Sequence, residues 1–93
     1  MRYICYRRQD EFPVQLAYTV RYIGTVENAE DMTELVTEKL PDAEIEVFTD
    51  GTYTFEDNGR KIVVPIGSFL VYTAGKHFES YTDKEFFERY FLS

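Results

Sequence analysis

Two short turn sequences, Thr49-Asp50-Gly51 and Asp57-Asn58-Gly59, constrain this chain more than any other feature. Each lies between runs rich in β-branched and aromatic residues, so each reads as the bend of an antiparallel hairpin. Face parity separates the two turn types. For Ile45 and Val47 to share a face with Tyr53 and Phe55, paired residue numbers must sum to an even value. That requires a three-residue loop with Gly51 in the left-handed position of a bulge. For Tyr53 and Phe55 to face Ile62 and Val64, the sum must be odd. That selects a two-residue Asn58-Gly59 turn of type I′.

The flanking segments read outward from these hairpins. Residues 2–7 alternate weakly and suggest a short strand. Asp10-Glu11-Phe12-Pro13 interrupts it, because Pro13 cannot donate to a ladder. From Val14 the alternation is strict, with Val14, Leu16, Tyr18, Val20 and Tyr22 on one face and Gln15, Ala17, Thr19 and Arg21 on the other. A period of two over that length predicts a half-buried strand. After Gly24-Thr25 a helix is expected, with Asn28 as N-cap and Glu30 and Asp31 complementing the helix dipole. Met32, Leu35, Val36 and Leu40 form its apolar stripe, and Pro41 ends it.

Beyond the hairpins, Pro65-Ile66-Gly67-Ser68 makes a tight connection into Phe69–Thr73, an apolar strand of the kind covered on both faces. Ala74-Gly75-Lys76 turns the chain into a short last strand, His77–Tyr81. Thr82 and Glu85 form a capping box for a closing helix, whose Phe86, Phe87, Tyr90 and Phe91 should dock on the sheet. The expectation is α+β: a twisted antiparallel sheet of about five or six strands. One helix follows the N-terminal strands and one closes the chain.

Length and composition bound what such a fold can do. Ninety-three residues, 1–93, make one domain. A domain of that size buries roughly 60–65% of its unfolded surface. Eight Tyr and eight Phe with no Trp place much of that burial on rings. Cys5 is the single cysteine, so an intrachain disulfide is impossible and a buried inert thiol in a strand is expected, as in a reducing cytosol. No apolar run approaches the length of a membrane span, and the charged N-terminus does not read as a signal peptide.

Charge is distributed unevenly. Between Glu27 and Asp57 lie eleven acidic residues and one basic, Lys39, whereas the remainder carries nine basic and six acidic. A uniform solubility coat would not be polarised in this way. Catalytic signatures are missing: there is no nucleophile elbow, zincin pair, P-loop or dinucleotide fingerprint. Cys5 and His77 alone fall short of a four-ligand metal site. The Asp-Gly turns lack calcium-loop spacing and are explained by turn chemistry. No catalytic residue, metal or cofactor is therefore expected.

One stretch carries a resemblance. Val64-Pro65-Ile66-Gly67-Ser68-Phe69-Leu70-Val71, followed by Phe86, Phe87 and Tyr90, is similar to a pattern in small phage and prophage accessory proteins. Their central motif runs valine, two residues, glycine, aspartate, tyrosine or tryptophan, a hydrophobic residue and valine, with aromatics in a last helix. Ser68 replaces the aspartate and Phe69 the larger aromatic. The resemblance implies a mobile-element origin and no particular reaction; with the single cysteine, the expected location is the cytoplasm of the host.

Three functional expectations follow. The first is a non-enzymatic binding protein that inhibits a host protein with a basic surface, such as an anti-defence or anti-CRISPR-like inhibitor of a nucleic-acid enzyme. It would use Glu27, Glu30, Asp31, Glu34, Glu38, Glu44 and Glu46. Glu30, Glu34 and Glu38 recur every four residues on the side of the helix away from the apolar stripe; solvation alone is the plainer reading of such a face. The second is a homo-oligomer holding a small anion, such as a nucleotide signal, with Arg7, Arg8, Arg21 and Tyr72. Together with Arg2 these arginines make the one basic patch expected, too small for direct nucleic-acid binding. Surplus rings at Tyr3, Phe48, Tyr72 and Tyr81 would mark a protein–protein or subunit contact. The third is a structural or regulatory phage protein.

Overall fold

The computed structural model describes residues 2–8 and 15–92. Val14 and the Asp10–Pro13 break lie outside the described residues. In chain order the elements are β1 (Tyr3–Arg7), β2 (Leu16–Arg21), α1 (Val26–Lys39), β3 (Glu46–Val47), β4 (Tyr53–Asp57), β5 (Arg60–Val64), β6 (Phe69–Tyr72), β7 (Phe78–Tyr81), α2 (Asp83–Arg89) and β8 (Tyr90–Leu92). They form one α+β unit with two antiparallel sheets, ordered β7-β6-β2-β1-β8 and β3-β4-β5.

Both hairpin turns take the predicted geometry. β3 pairs with β4 in even register, Val47 opposite Tyr53. The loop closes with Phe48 N donating to Thr52 O at 2.9 Å and Gly51 N to Phe48 O at 2.9 Å. Gly51 has φ +91°, left-handed backbone that a side chain adopts only with strain. β4 pairs with β5 in odd register, Asp57 opposite Arg60. Asn58 and Gly59, at φ 51° and 85°, make the type I′ bend.

Two cores sandwich the larger sheet. On one side Val20, Tyr22, Leu70 and Phe78 pack against Met32, Leu35 and Val36 of α1 and against Tyr53, Phe55, Ile62 and Val64 of the smaller sheet. On the other, Cys5, Ala17, Phe69 and Val71 pack under Phe86 and Tyr90. This corrects the half-buried reading of β2: Ala17, Thr19 and Val20 are all buried, while Leu16 is exposed. The parity was right, but α2 covers the face assigned to solvent.

The start of α1 is a second correction. Thr25, not Asn28, is the N-cap, its hydroxyl accepting from Asn28 N. Asn28 is buried one turn in, where its carboxamide accepts from Ile23 N at 2.6 Å and donates to Arg21 O at 2.8 Å. Its side chain satisfies the backbone that leads from β2 into the helix, which a local capping rule does not anticipate. Pro41 stops α1 as expected, with Leu40 at the C-cap.

The chain's end departs furthest from expectation. The capping box at Thr82 and Glu85 is formed, but α2 has only seven residues. Tyr90–Leu92 then becomes β8, antiparallel to β1. Phe86 and Tyr90 are buried, whereas Phe87 and Phe91 are exposed. An extended aromatic segment here satisfies the outer edge of β1, which a longer helix would leave unpaired.

The two sheets meet through side chains. Asp57 is buried, and its carboxylate accepts from Phe78 N at 2.8 Å. Arg60 donates to Phe78 O at 2.6 Å and pairs with Glu79 at 3.2 Å. The outer edge of β7 is thus capped by a carboxylate and a guanidinium in place of another strand.

Candidate functional site

The acidic residues singled out above fall on two adjoining surfaces. Glu27, Glu30 and Glu34 are exposed along α1. Among the described residues none of the three takes part in an ion pair. Asp31 is half-buried and engaged. Glu38 belongs to a closed cluster: Arg2 donates to it at 2.6 Å, and Lys39 lies 3.4 Å from its other oxygen. The Arg2 hydrogen bond, above all, holds the Glu38 carboxyl below the usual carboxylate range. Glu44 and Glu46 stand beyond the helix, on a cleft of the smaller sheet shared with Asp42, Glu56 and Lys61.

Between α1 and β3 runs a groove of about 480 Å³, lined by Val26, Ala29, Thr33, Thr37, Val47 and Tyr53, with Glu30 and Glu34 at its side. Val26 is 76% and Val47 50% exposed. Tyr53 forms the floor, its hydroxyl bonded to Thr33 Oγ1 at 2.8 Å. Burial raises the Tyr53 pKa, so the hydroxyl stays protonated. The groove is open because α1 leans its Met32, Leu35 and Val36 stripe on the core while β3 is only two residues long. Reading the sequence by period missed Val26, which belongs to no core stripe, and put Val47 on the Tyr53–Phe55 face without showing that β3, at the edge of its sheet, leaves it half exposed. Their neighbourhood is a long-range matter.

The arginines do not gather into one patch. Arg8 Nε donates to Phe87 O at 2.6 Å, and the guanidinium lies over the Phe91 ring. Arg21 sits at the opposite end of its sheet face, 3.8 Å from Asp83 and over the Phe69 ring. Arg2 is on the other face, over Tyr18. Tyr72 is on that face too, beneath Lys39 at 5.1 Å, apart from Arg7, Arg8 and Arg21. Of the surplus rings, Tyr3 and Phe48 are exposed, whereas Tyr72 and Tyr81 are half-buried.

Arg7 alone of the set enters a sizeable cleft, of about 720 Å³, on the α2 side of the larger sheet. Its walls are Arg7 and Gln15, the Thr73–Gly75 loop with His77, and Glu88 and Arg89 at the end of α2, over Tyr81 and Tyr90. Burial pushes the Tyr90 phenol up to about 12 and raises that of Tyr81, so both remain protonated at neutral pH. His77 links Thr73 Oγ1 at 3.1 Å to Glu79 at 3.2 Å. Cys5 lies sealed in the sheet, burial lifting its thiol to about 12. Among the described residues no three metal-ligating side chains cluster, and no helix is long and apolar enough to cross a membrane. Comparison of the chain with protein-family models, with curated proteins and with solved structures yields no match.

Proposed function

We propose that this chain is a non-enzymatic accessory protein of phage type, acting in the host cytoplasm. It docks its α1–β3 face on a basic surface of a host protein and inhibits it, the target being a nucleic-acid enzyme. The observation that carries this reading is the groove itself: an apolar trough floored by Tyr53 and open at Val26 and Val47, beside the exposed carboxylates Glu30 and Glu34. Apolar anchors within a charged margin are the anatomy of a specific protein interface. Unpaired like charges on one helix face cost roughly 0.2–0.5 kcal/mol per pair. A partner rich in Lys and Arg removes that repulsion and is drawn in faster by it. Enzymes that hold a polyanion present such surfaces.

The test is affinity capture from bacterial lysate with mass identification, followed by binding of the purified partner across a salt series. Glu30→Lys with Glu34→Lys should abolish capture and flatten the salt dependence, and Val47→Asp should weaken binding at every salt concentration. Capture that ignores all three changes removes the α1–β3 face from the mechanism. Loss of the partner's nucleic-acid activity on binding supports inhibition; full activity in the complex refutes it.

A further inference from the structure

The geometry points to a second site, on the opposite face of the molecule from the α1–β3 groove: the cleft between α2 and the β6–β7 loop binds a small phosphate-bearing compound. Its volume, about 720 Å³, is within the range of ligand pockets, roughly 300–1,000 Å³. Register explains how it is assembled. Residues of one parity on each strand face α2, so Arg7, Gln15, Thr73, His77 and Tyr81 share one sheet face with the buried Ala17, Phe69 and Val71. α2 is short and seats Phe86 on Phe69, ring centroids 4.0 Å apart, which leaves the strand ends toward the β6–β7 loop uncovered.

Arg89 decides the ligand's charge. Its guanidinium carbon lies over the Tyr81 ring, 5.2 Å from the centroid, a cation–π contact that places the side chain at the cleft. Among the described residues no carboxylate lies within ion-pair distance of it, and its N–H groups donate to no protein acceptor. A guanidinium placed over an aromatic ring, with its donor fork unused, suits the bidentate recognition of phosphate. Arg7, opposite Tyr90 in the β1–β8 register and donating to Gln15 Oε1 at 3.4 Å, adds a second cation, and Glu88 is the one carboxylate of the lining. On a chain of formal charge −7, a cleft whose lining has two arginines to one acid is where an anion would settle. The protonated Tyr81 and Tyr90 phenols bond to each other at the floor, so at most one hydroxyl hydrogen of the pair is left for a ligand.

The experiment titrates the whole protein with inorganic phosphate, pyrophosphate, AMP and ATP, reading melting temperature and binding heat. A rise in melting temperature with at least one of these is expected. Arg89→Ala should weaken that binding about tenfold or more and Arg89→Lys by an intermediate factor, since lysine keeps the charge and loses the fork. Circular dichroism of the unliganded variants should match the parent, because Arg89 is exposed. Glu30→Lys with Glu34→Lys should leave the titration unchanged, which separates this site from the docking face. The proposal is overturned if no probe binds up to millimolar concentration, if folded Arg89→Ala binds as the parent does, or if a DNA duplex binds more tightly than every small probe.

Discussion

Asp57→Ala is the change that most directly tests how the two sheets are joined. Asp57 is buried at the tip of β4, and its carboxylate accepts from the buried Phe78 amide at 2.8 Å and from Asn58 Nδ2 at 3.1 Å. A hydrogen bond to a charged acceptor is worth about 1.5–3 kcal/mol, and a stranded buried amide costs about 1–3 kcal/mol, two overlapping quantities. Alanine should therefore cost about 2–4 kcal/mol. In a domain of this size that lowers the melting temperature by roughly 10–25 °C. Asp57→Asn keeps a carbonyl oxygen for the Phe78 amide and should cost about half as much, since a neutral acceptor is about half as strong. Arg60 is not orphaned by either change, because it retains Phe78 O and Glu79. Glu56→Ala, exposed one residue earlier, is the control and should stay within about 0.5 kcal/mol. Urea unfolding supplies the energies, and amide hydrogen exchange at Phe78 supplies the location. If alanine at 57 costs no more than alanine at 56, or if the Phe78 amide exchanges no faster, the carboxylate does not join the sheets.

Three further outcomes are expected. Phe86→Ala empties a fully buried site stacked on Phe69 and Tyr90, and should cost about 3–5 kcal/mol by urea unfolding. The Glu38 carboxyl is held below its ordinary 4.5, mainly by the Arg2 hydrogen bond, so its folded pKa lies below the unfolded one. Its contribution is thus present above pH 4.5 and lost as pH falls through the folded value; Glu38→Gln should flatten that part of the acid limb in urea midpoints across roughly pH 3–6. Cys5, buried with its thiol pushed to about 12, should resist a maleimide in the native protein and react at once in denaturant.

What was legible in the residues was whatever short-range sterics decide. Gly51 and Asn58-Gly59 specify two different turns because left-handed backbone excludes most side chains, and side-chain parity then assigns a register to each hairpin. The Met32–Leu35–Val36 stripe, the Pro41 stop and the Thr82–Glu85 capping box are equally local, and all are present. So are the burial of Cys5 and the concentration of carboxylates between Glu27 and Asp57. The alternation in β2 showed which residues share a face, but not that both faces would be covered, because α2 arrives from more than sixty residues away.

Tertiary structure alone decided the rest, through contacts that no window of sequence contains. Tyr90–Leu92 is a strand because β1, at the other end of the chain, offers an unpaired edge; its letters suit a helical stripe equally well. Asn28 left the cap because the Ile23 amide and the Arg21 carbonyl needed a partner. Splitting the strands into two sheets carried Glu44 and Glu46 off the helix face and left Val26 and Val47 facing an open groove. The same topology scattered Arg8, Arg21 and Tyr72 and brought Arg7 to the cleft that Arg89 lines. Charge composition is a property of the chain, but which charges become neighbours depends on how strands pair across sequence distance.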